Sequence, residues 1–147
     1  MVLREIDAQT ASEAELLAIH AIEQACLPEL VPGEPGRSAD EAIGFYRHPP
    51  STVTRRTWLA EERGVANLGM HGPTAVFGDV LVTPSARRRG IGTALLGAVV
   101  EARPEPCALL TTGRAASPAR RLYERLGWVE LLHDLDPTTS LYGRLLR

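Results

Sequence analysis

The sequence predicts an α/β protein in which a mixed central β-sheet of about six to seven strands is flanked by about four helices. Strand-like and helix-like patterns alternate in the order β-α-α-β-β-β-α-β-α-β-β. A β-branched run at residues 80–82 leads through a glycine-containing turn into an apolar helical segment, which is typical of a strand–turn–helix unit. The 147 residues, 44% of them hydrophobic and 23% charged, suit one globular domain, expected to span residues 1–147.

The N-terminal part is expected to form one strand and two helices. Residues 2–6 have the alternating character of a strand. Residues 10–12 offer N-cap choices for a helix that is predicted to end at Pro28, and Ser12 has a glutamate three residues later in the spacing of a capping box. A shorter helix is predicted over residues 38–46, with Ser38 as its N-cap.

Three strands are expected in the middle of the chain, over residues 52–60, 65–69 and 75–82. The charged segment 61–64 ends in a glycine and predicts a hairpin turn between the first two. The strand over residues 65–69 is expected to be poorly formed, because Asn67 and Gly69 have low strand propensity.

The C-terminal part is expected to add two helices and three strands. The helix over residues 92–102 is nearly all apolar and should be buried against the sheet. The strand over residues 107–112 should then run parallel to the one before that helix. A helix capped by Ser117 and ending at Gly127 should precede strands over residues 128–133 and 140–146.

Composition excludes some classes of partner. The formal net charge is −2 and aromatic residues make up 5%, so an arginine-rich nucleic-acid binder is disfavoured and no attraction to anionic membranes is expected. No segment approaches the ~20 apolar residues of a membrane span. The chain start lacks a signal-like apolar run, and we therefore expect a cytoplasmic protein with Cys26 and Cys107 as reduced thiols.

The turn after residue 82 has the features of an anion site. Gly90 and Gly92 allow a sharp turn and close approach of a ligand to the main chain. The first amides of the following helix lack internal partners and lie at the positive end of its dipole, which favours a phosphate group. A dinucleotide-binding fingerprint would require a third glycine, and a Walker loop would require Gly-Lys-Ser/Thr; neither is present. We therefore expect a diphosphate to bind here.

Two segments together resemble the GNAT superfamily of N-acetyltransferases. Val82-Thr83-Pro84 followed by Arg87-Arg88-Arg89-Gly90-Ile91-Gly92 resembles the family's acetyl-CoA motif. Residues 119–128, Ala-Arg-Arg-Leu-Tyr-Glu-Arg-Leu-Gly-Trp, resemble its Ala-x-x-Leu-Tyr-x-x-Leu-Gly-Phe signature. The two segments lie in the C-terminal half of the chain at the family's spacing. The resemblance implies a GNAT-like fold that transfers an acetyl group from acetyl-CoA, as co-substrate and without a metal, to a primary amine of a small molecule or a protein N-terminus.

The resemblance also implies which residues bind the co-substrate. The main chain of three strand residues is expected to pair with the pantetheine arm, and the amides of the turn and the first helical residues are expected to bind the diphosphate. One or more of the three arginines are expected to meet either the diphosphate or the 3′-phosphate. Ser117 is a candidate replacement for a family asparagine, whose position is occupied by Ala116. The expected binding residues are Val80, Leu81, Val82, Arg87, Arg88, Arg89, Gly90, Ile91, Gly92, Thr93 and Ser117.

Two catalytic roles are implied, of which the second is left open. Tyr123 occupies the position of the family's general acid, which protonates the leaving thiolate. Several family members have a glutamate as general base where this chain has Val76, and Asp79 is the nearest acid. Glu61, Glu62 or a chain of water molecules are equally open as the base.

An alternative to the enzyme is a non-catalytic acyl-CoA-binding domain that acts as a sensor or regulatory module. The departures from the family pattern at Val76 and Ala116 keep this hypothesis open. Both hypotheses expect coenzyme A binding, but only the enzyme should release free thiol in the presence of an amine. Pairing of two copies as a homodimer is a further expectation from the resemblance.

Overall fold

The computed structural model describes residues 1–30, 32–48, 55–61, 63–71 and 74–146, with only the backbone described for residues 30, 55, 56, 67–71, 74, 79 and 117. The elements follow the predicted order. They are β1 (Leu3–Ile6), α1 (Glu13–Leu30), α2 (Ala39–Arg47), β2 (Arg55–Ala60), β3 (Gly64–His71), β4 (Thr74–Val82), a 3₁₀ turn (Pro84–Ala86), α3 (Ile91–Glu101), β5 (Cys107–Gly113), α4 (Ser117–Arg125), β6 (Val129–Asp136) and β7 (Thr139–Leu145).

The strands form one mixed sheet of seven strands in the order β1-β2-β3-β4-β5-β7-β6. The β4–β5 pair is parallel, as α3 crosses between these two strands, and every other neighbouring pair is antiparallel. The predicted α/β class, the mixed sheet and the number of helices are therefore confirmed. None of the helices in the described ranges is both long and apolar enough to cross a bilayer.

Helices cover both faces of the sheet. In β2, Leu59 packs with α1 residues, whereas its neighbour Trp58 packs with α3 and α4 residues, so alternate side chains of one strand serve two cores. The first core contains Leu16, Ile19, Ile22, Cys26, Tyr46, Leu59 and Val65. The second contains Trp58, Phe77, Ile91, Leu95, Leu96, Val99, Leu110, Tyr123, Trp128 and Tyr142.

Two predictions about helix ends are wrong. Helix α1 does not end at Pro28 but continues to Leu30. The tertiary contact of its last turn, in which Glu29 forms an ion pair with Arg87 at 2.6 Å, offsets the unfavourable proline. Ser117 does not cap α4, because the carbonyl of Ala116 accepts the first helical hydrogen bond from Arg120, which makes Ala116 the N-cap.

The prediction that the strand after the hairpin is poorly formed is also wrong. Strand β3 runs over eight residues, Gly64–His71, and pairs with β2 on one side and β4 on the other. Pairing on both edges outweighs the low intrinsic propensity of Asn67 and Gly69. The beginning of the expected strand over residues 52–60 and the candidate base Glu62 lie outside the described residues.

Candidate active site

The parallel strands β4 and β5 pair only over the first four residues of each strand. Their pairing runs from Thr74 opposite Cys107 to Phe77 opposite Leu110, while β4 continues to Val82 and β5 to Gly113. In the β3–β4 ladder, one β3 residue opposes two β4 residues, Gly78 and Asp79, which is a β-bulge. A bulge bends its strand. It lies immediately after the last β4–β5 pair, so it accounts for the gap that opens between the two strands.

The main chain of β4 offers hydrogen-bonding groups to this gap. Thr83 donates its N–H to the carbonyl of Arg63 at 2.7 Å, on the β3 side. Because main-chain groups of an antiparallel ladder alternate in direction, Leu81 also faces β3, whereas Val80 and Val82 face the gap. The strand therefore presents main-chain groups of two residues along one wall of the gap.

A loop of three arginines and a glycine, the Arg-Gly loop (residues 87–90), joins the end of this wall to α3. Arg88 and Gly90 both have left-handed backbone conformations, with φ of 63° and 79°. Gly90 is the N-cap of α3, and a Cβ added to it would meet no atom within 4 Å. The backbone thus turns sharply at the helix N-terminus and leaves open space in front of it.

The amide run (residues 88–93) is the most distinctive feature of the site. Within the described part of the chain, none of these six backbone N–H groups donates to a protein acceptor, and Ala94 is the first to bond, to the carbonyl of Gly90 at 2.9 Å. Unpartnered amides at a helix N-terminus, with the positive end of the helix dipole, form a ready anion site. Arg88 and Arg89 are exposed beside it, as is Thr93. These residues fit a diphosphate group.

Arg87 is placed differently from the two arginines that follow it. Its Nε donates to the carbonyl of Val82 at 3.1 Å, and its Nη1 forms an ion pair with Glu29 at 2.6 Å. Its Nη2 lies 3.8 Å from the sulfur of Cys26, whose thiol in turn donates to the same Val82 carbonyl at 3.4 Å. Burial raises the pKa of the Cys26 thiol, which therefore remains the protonated donor. The Arg87 guanidinium is thus held against the end of α1.

Tyr123 is fixed by the way in which α4 ends. Gly127 has a φ of 89° and donates its N–H to the carbonyl of Glu124 at 3.1 Å, while Trp128 donates to the carbonyl of Tyr123 at 3.0 Å. These two bonds form a Schellman motif, and the rings of Tyr123 and Trp128, 6.3 Å apart, supply its apolar contact. The Leu-Tyr-x-x-Leu-Gly-Trp pattern is therefore a helix C-cap that sets the position of the tyrosine.

The surroundings of Tyr123 connect it to the sheet and to the amide run. Its side chain is 7% exposed, and its ring lies 6.1 Å from that of Tyr142 in β7. Tyr142 donates its hydroxyl to Glu124 at 3.1 Å and accepts from Arg120 at 3.1 Å, which ties α4 to β7. The neighbouring Leu122 lies against the first turn of α3, since a Cβ on Gly92 would be 3.4 Å from it.

The other predicted site residues are placed less completely. Asp79 lies at the bulge where the gap begins, and Ser117 in the first turn of α4, but neither side chain is among those described. Glu61 directly follows β2, which lies two strands away from β4 in the sheet. Its carboxylate accepts a hydrogen bond from the N–H of Val2 at 3.2 Å.

Sequence reasoning missed the contacts of Cys26 and Glu29. No local pattern could have shown them, because their partners are about 60 residues away in the chain.

Comparisons with known proteins agree with this arrangement. A family profile described as an acetyltransferase (GNAT) domain matches residues 54–130, just over half of the chain. A search of curated protein sequences found no match.

Three solved structures share the fold. An acetyltransferase from Thermus thermophilus superposes with a TM-score of 0.81 at 15% identity, covering 99% of this chain and 97% of its own. The PaiA N-acetyltransferase from Thermoplasma acidophilum, solved in complex with coenzyme A, gives 0.67 at 14% identity, covering 99% of each chain. The ribosomal-protein-S18-alanine N-acetyltransferase from Escherichia coli gives 0.70 at 17% identity, covering 99% of this chain and 94% of its own.

The family profile covers the gap, the Arg-Gly loop and α4, while Cys26, Glu29 and Tyr142, which contact these elements, lie outside the matched residues. The resemblance seen in the two sequence motifs is confirmed. The chain belongs to the GNAT acetyltransferase family and is an acyltransferase.

Proposed function

We propose that residues 1–147 form one catalytic domain that transfers an acetyl group from acetyl-CoA to a primary amine of a small molecule or a protein N-terminus. The observation that carries this proposal is the amide run beside the β4–β5 gap. A diphosphate and an extended amide-containing chain are the two parts of coenzyme A that such a loop and such a strand would recognise. The neighbour solved with coenzyme A has the same fold.

The binding roles divide between the loop and the strand. The amides of Arg88, Arg89, Gly90, Ile91, Gly92 and Thr93 hold the diphosphate, and the exposed guanidinium groups of Arg88 and Arg89 add charge-assisted bonds. Val80 offers its main-chain groups to the pantetheine arm in the manner of an added strand, and Val82 offers its N–H, because its carbonyl already accepts from Arg87 and Cys26. The main chain of Leu81 pairs with β3, so this residue is assigned no direct bond to the pantetheine arm and instead fixes the spacing between Val80 and Val82. Ser117 remains a candidate at the start of α4.

A main-chain N–H on the gap side of β4 can also assist the reaction. Acetyl-CoA supplies the acetyl group as an activated thioester. The N–H of Val80 or Val82 donates toward the position where negative charge develops on the carbonyl oxygen. A fixed donor at such a position stabilises a transition state without reorganisation.

Two side chains handle protons. Tyr123 gives its phenolic proton to the departing sulfur, with ordinary pKa values of about 10 for the phenol and about 8.5 for the thiol. Because the phenol is ordinarily the weaker acid of the two, the protein surroundings of Tyr123 must favour proton transfer from the phenol to the thiolate. Asp79, at the bulge, is the candidate base that removes a proton from the incoming ammonium. The acceptor amine is protonated at neutral pH and must lose that proton before it can attack.

The Tyr123→Phe variant tests the proposed acid. Release of free thiol from acetyl-CoA is measured with a panel of amines, peptides and aminoglycosides, and coenzyme A affinity is measured by calorimetry. We expect kcat to fall about 100-fold or more, as is typical of a lost general acid, with the dissociation constant of coenzyme A unchanged within about twofold. A variant that retains wild-type kcat would remove Tyr123 from the mechanism.

The Asp79→Asn variant tests the proposed base. If Asp79 is the base, the acidic limb of the kcat/KM–pH profile shifts or disappears; an unchanged profile would move the role to another group or to water. If the wild type binds coenzyme A but releases no thiol with any amine, the acyl-CoA-binding sensor replaces the enzyme.

The remaining expectations about partners stay predictions. We expect no nucleic-acid or membrane partner, and a homodimer is testable by light scattering. We also propose a cytoplasmic location, where reducing conditions keep the buried Cys26 as a thiol.

A further inference from the structure

We propose that Arg87 is a positioning residue that fastens the end of α1 to the end of β4, and so holds the amide run in its binding geometry, and that it is not a phosphate ligand. The proposal rests on the proposed function, because it assigns a role within the same coenzyme A site. It separates Arg87 from Arg88 and Arg89, which the sequence presents as three equivalent charges.

The first argument is the number of partners of the guanidinium. Each of its three nitrogens has a protein partner: Nε the carbonyl of Val82, Nη1 the carboxylate of Glu29 and Nη2 the sulfur of Cys26. Arg88 and Arg89, by contrast, form no ion pair within the described part of the chain and are exposed. To bind Arg87, a phosphate would have to displace one of these three protein contacts, whereas it could bind Arg88 or Arg89 without breaking an ion pair of the described residues.

The second argument is charge. Glu29 lies 2.6 Å from Nη1, so its carboxylate compensates the charge of Arg87. A diphosphate brought to the same guanidinium would meet this carboxylate as a like charge, which disfavours binding. The pair is therefore better suited to joining two elements of the protein than to recruiting an anion.

The third argument is what the contacts join. Val82 is the last residue of β4, and its carbonyl accepts from both Arg87 and Cys26. Arg87 follows Val82 by five positions, and the 3₁₀ turn lies between them, so the Nε bond closes this connection into a ring. The bonds to Glu29 and Cys26 then attach the ring to α1. Helix α1 reaches it because the helix continues past Pro28.

The variants Glu29→Gln, Arg87→Gln and the double variant test the proposal, with Arg89→Gln as the matched control. Coenzyme A affinity is measured by calorimetry at several salt concentrations. We expect Glu29→Gln to weaken binding several-fold and Arg87→Gln about tenfold. The double variant should be no weaker than Arg87→Gln, because the two residues act as a unit. If Arg87 bound the phosphate directly, Glu29→Gln would bind as tightly as the wild type or more tightly.

The dependence of coenzyme A affinity on salt concentration distinguishes a positioning residue from a residue that binds the diphosphate. Loss of a charge that faces the diphosphate reduces the dependence of affinity on ionic strength. We expect this for Arg89→Gln but not for Arg87→Gln, which should have the wild-type slope. A reduced slope for Arg87→Gln would overturn the proposal.

Hydrogen exchange without ligand keeps the test independent of the proposed function. Thr83 and Ala86 belong to the connection that Arg87 closes, and their N–H groups donate to the carbonyls of Arg63 and Thr83, respectively. Their exchange should be faster in Glu29→Gln and Arg87→Gln and unchanged in Arg89→Gln. Unchanged exchange in Arg87→Gln would refute the positioning role, whether or not the wild type binds coenzyme A. Failure of the wild type to bind coenzyme A would refute the proposed function instead.

Discussion

Gly64, the first residue of β3, lies against Ile91 and Leu95 of α3, and Gly64→Ala tests how tightly the start of that helix packs on the sheet. A Cβ at this position would lie 2.8 Å from Cγ2 of Ile91, 3.0 Å from Cδ1 of Leu95 and 3.1 Å from the carbonyl oxygen of Leu81. Favourable contacts between carbon atoms lie at ~3.5–4.0 Å, so all three distances are too short. The Leu95 methyl can move aside, but the Leu81 oxygen belongs to the β3–β4 ladder, and Ile91 is stiff because it is β-branched.

The expected magnitude follows from two opposing terms. Burial of one methyl group contributes at most about 0.8 kcal/mol, whereas forcing a group into a packed core costs roughly 1–3 kcal/mol. We expect the free energy of unfolding of Gly64→Ala to be lower than that of the wild type by up to about 2 kcal/mol. For a chain of this length the Tm should fall by up to about 8 °C. The displaced turn of α3 should also weaken coenzyme A binding.

Gly97→Ala is the matched control, because it makes the same substitution on an exposed position of α3 where a Cβ would meet nothing within 4 Å. There, alanine favours the helix by about 0.5–1 kcal/mol, so the Tm should rise. Urea and thermal unfolding of both variants, monitored by circular dichroism, measure the difference. A Gly64→Ala protein as stable as Gly97→Ala would refute the close packing of β3 against α3.

Two further predictions concern stability. The side chain of Ser38 accepts a hydrogen bond from the N–H of Glu41 at 3.2 Å, and the N–H of Ser38 donates to the Glu41 carboxylate at 2.8 Å. Ser38→Ala should therefore lower the free energy of unfolding by about 1 kcal/mol, measured by urea titration. The control Ser85→Ala, on an exposed turn, should change this free energy by less than about 0.5 kcal/mol, and equal effects of the two variants would contradict the capping box. Burial raises the pKa of the Cys26 thiol, so above roughly pH 8.5 the unfolded chain releases this proton while the folded chain retains it, and stability should fall with rising pH. Urea titrations at pH 7.5 and 9.5 should show this fall in the wild type and in Cys107→Ala and a smaller fall in Cys26→Ala; equal falls in all three would exclude Cys26 as its source.

The order of the elements could be predicted because each signal is local. Apolar periodicity, the serine cap of α2 and the glycine after α4 depend on residues within a few positions of one another. The predictions failed where a distant segment decides the outcome. Asn67 and Gly69 disfavour a strand locally, but β3 has a partner on each side. Pro28 disfavours a helix locally, but Glu29 is held by Arg87.

The site shows the same division. The Arg-Gly loop and the C-cap that positions Tyr123 are short motifs and could be found in the sequence. The gap depends on where β4 stops pairing with β5, which no residue pattern in β4 alone determines. The different role of Arg87 depends on Cys26 and Glu29, 61 and 58 residues away in the chain. Three consecutive arginines therefore looked equivalent in the sequence, although Arg87 has three protein partners and the described residues show no ion pair for Arg88 or Arg89.

The amide run is most directly tested by following the backbone N–H resonances of residues 88–93 in ¹⁵N-labelled protein during titration with coenzyme A, and in parallel with pantetheine, which lacks the diphosphate. If these amides hold the diphosphate, their resonances shift with coenzyme A, those of Gly90 and Gly92 among them, and remain in place with pantetheine. Resonances that stay unmoved while coenzyme A binds elsewhere on the protein would contradict the assignment of this loop as the anion site.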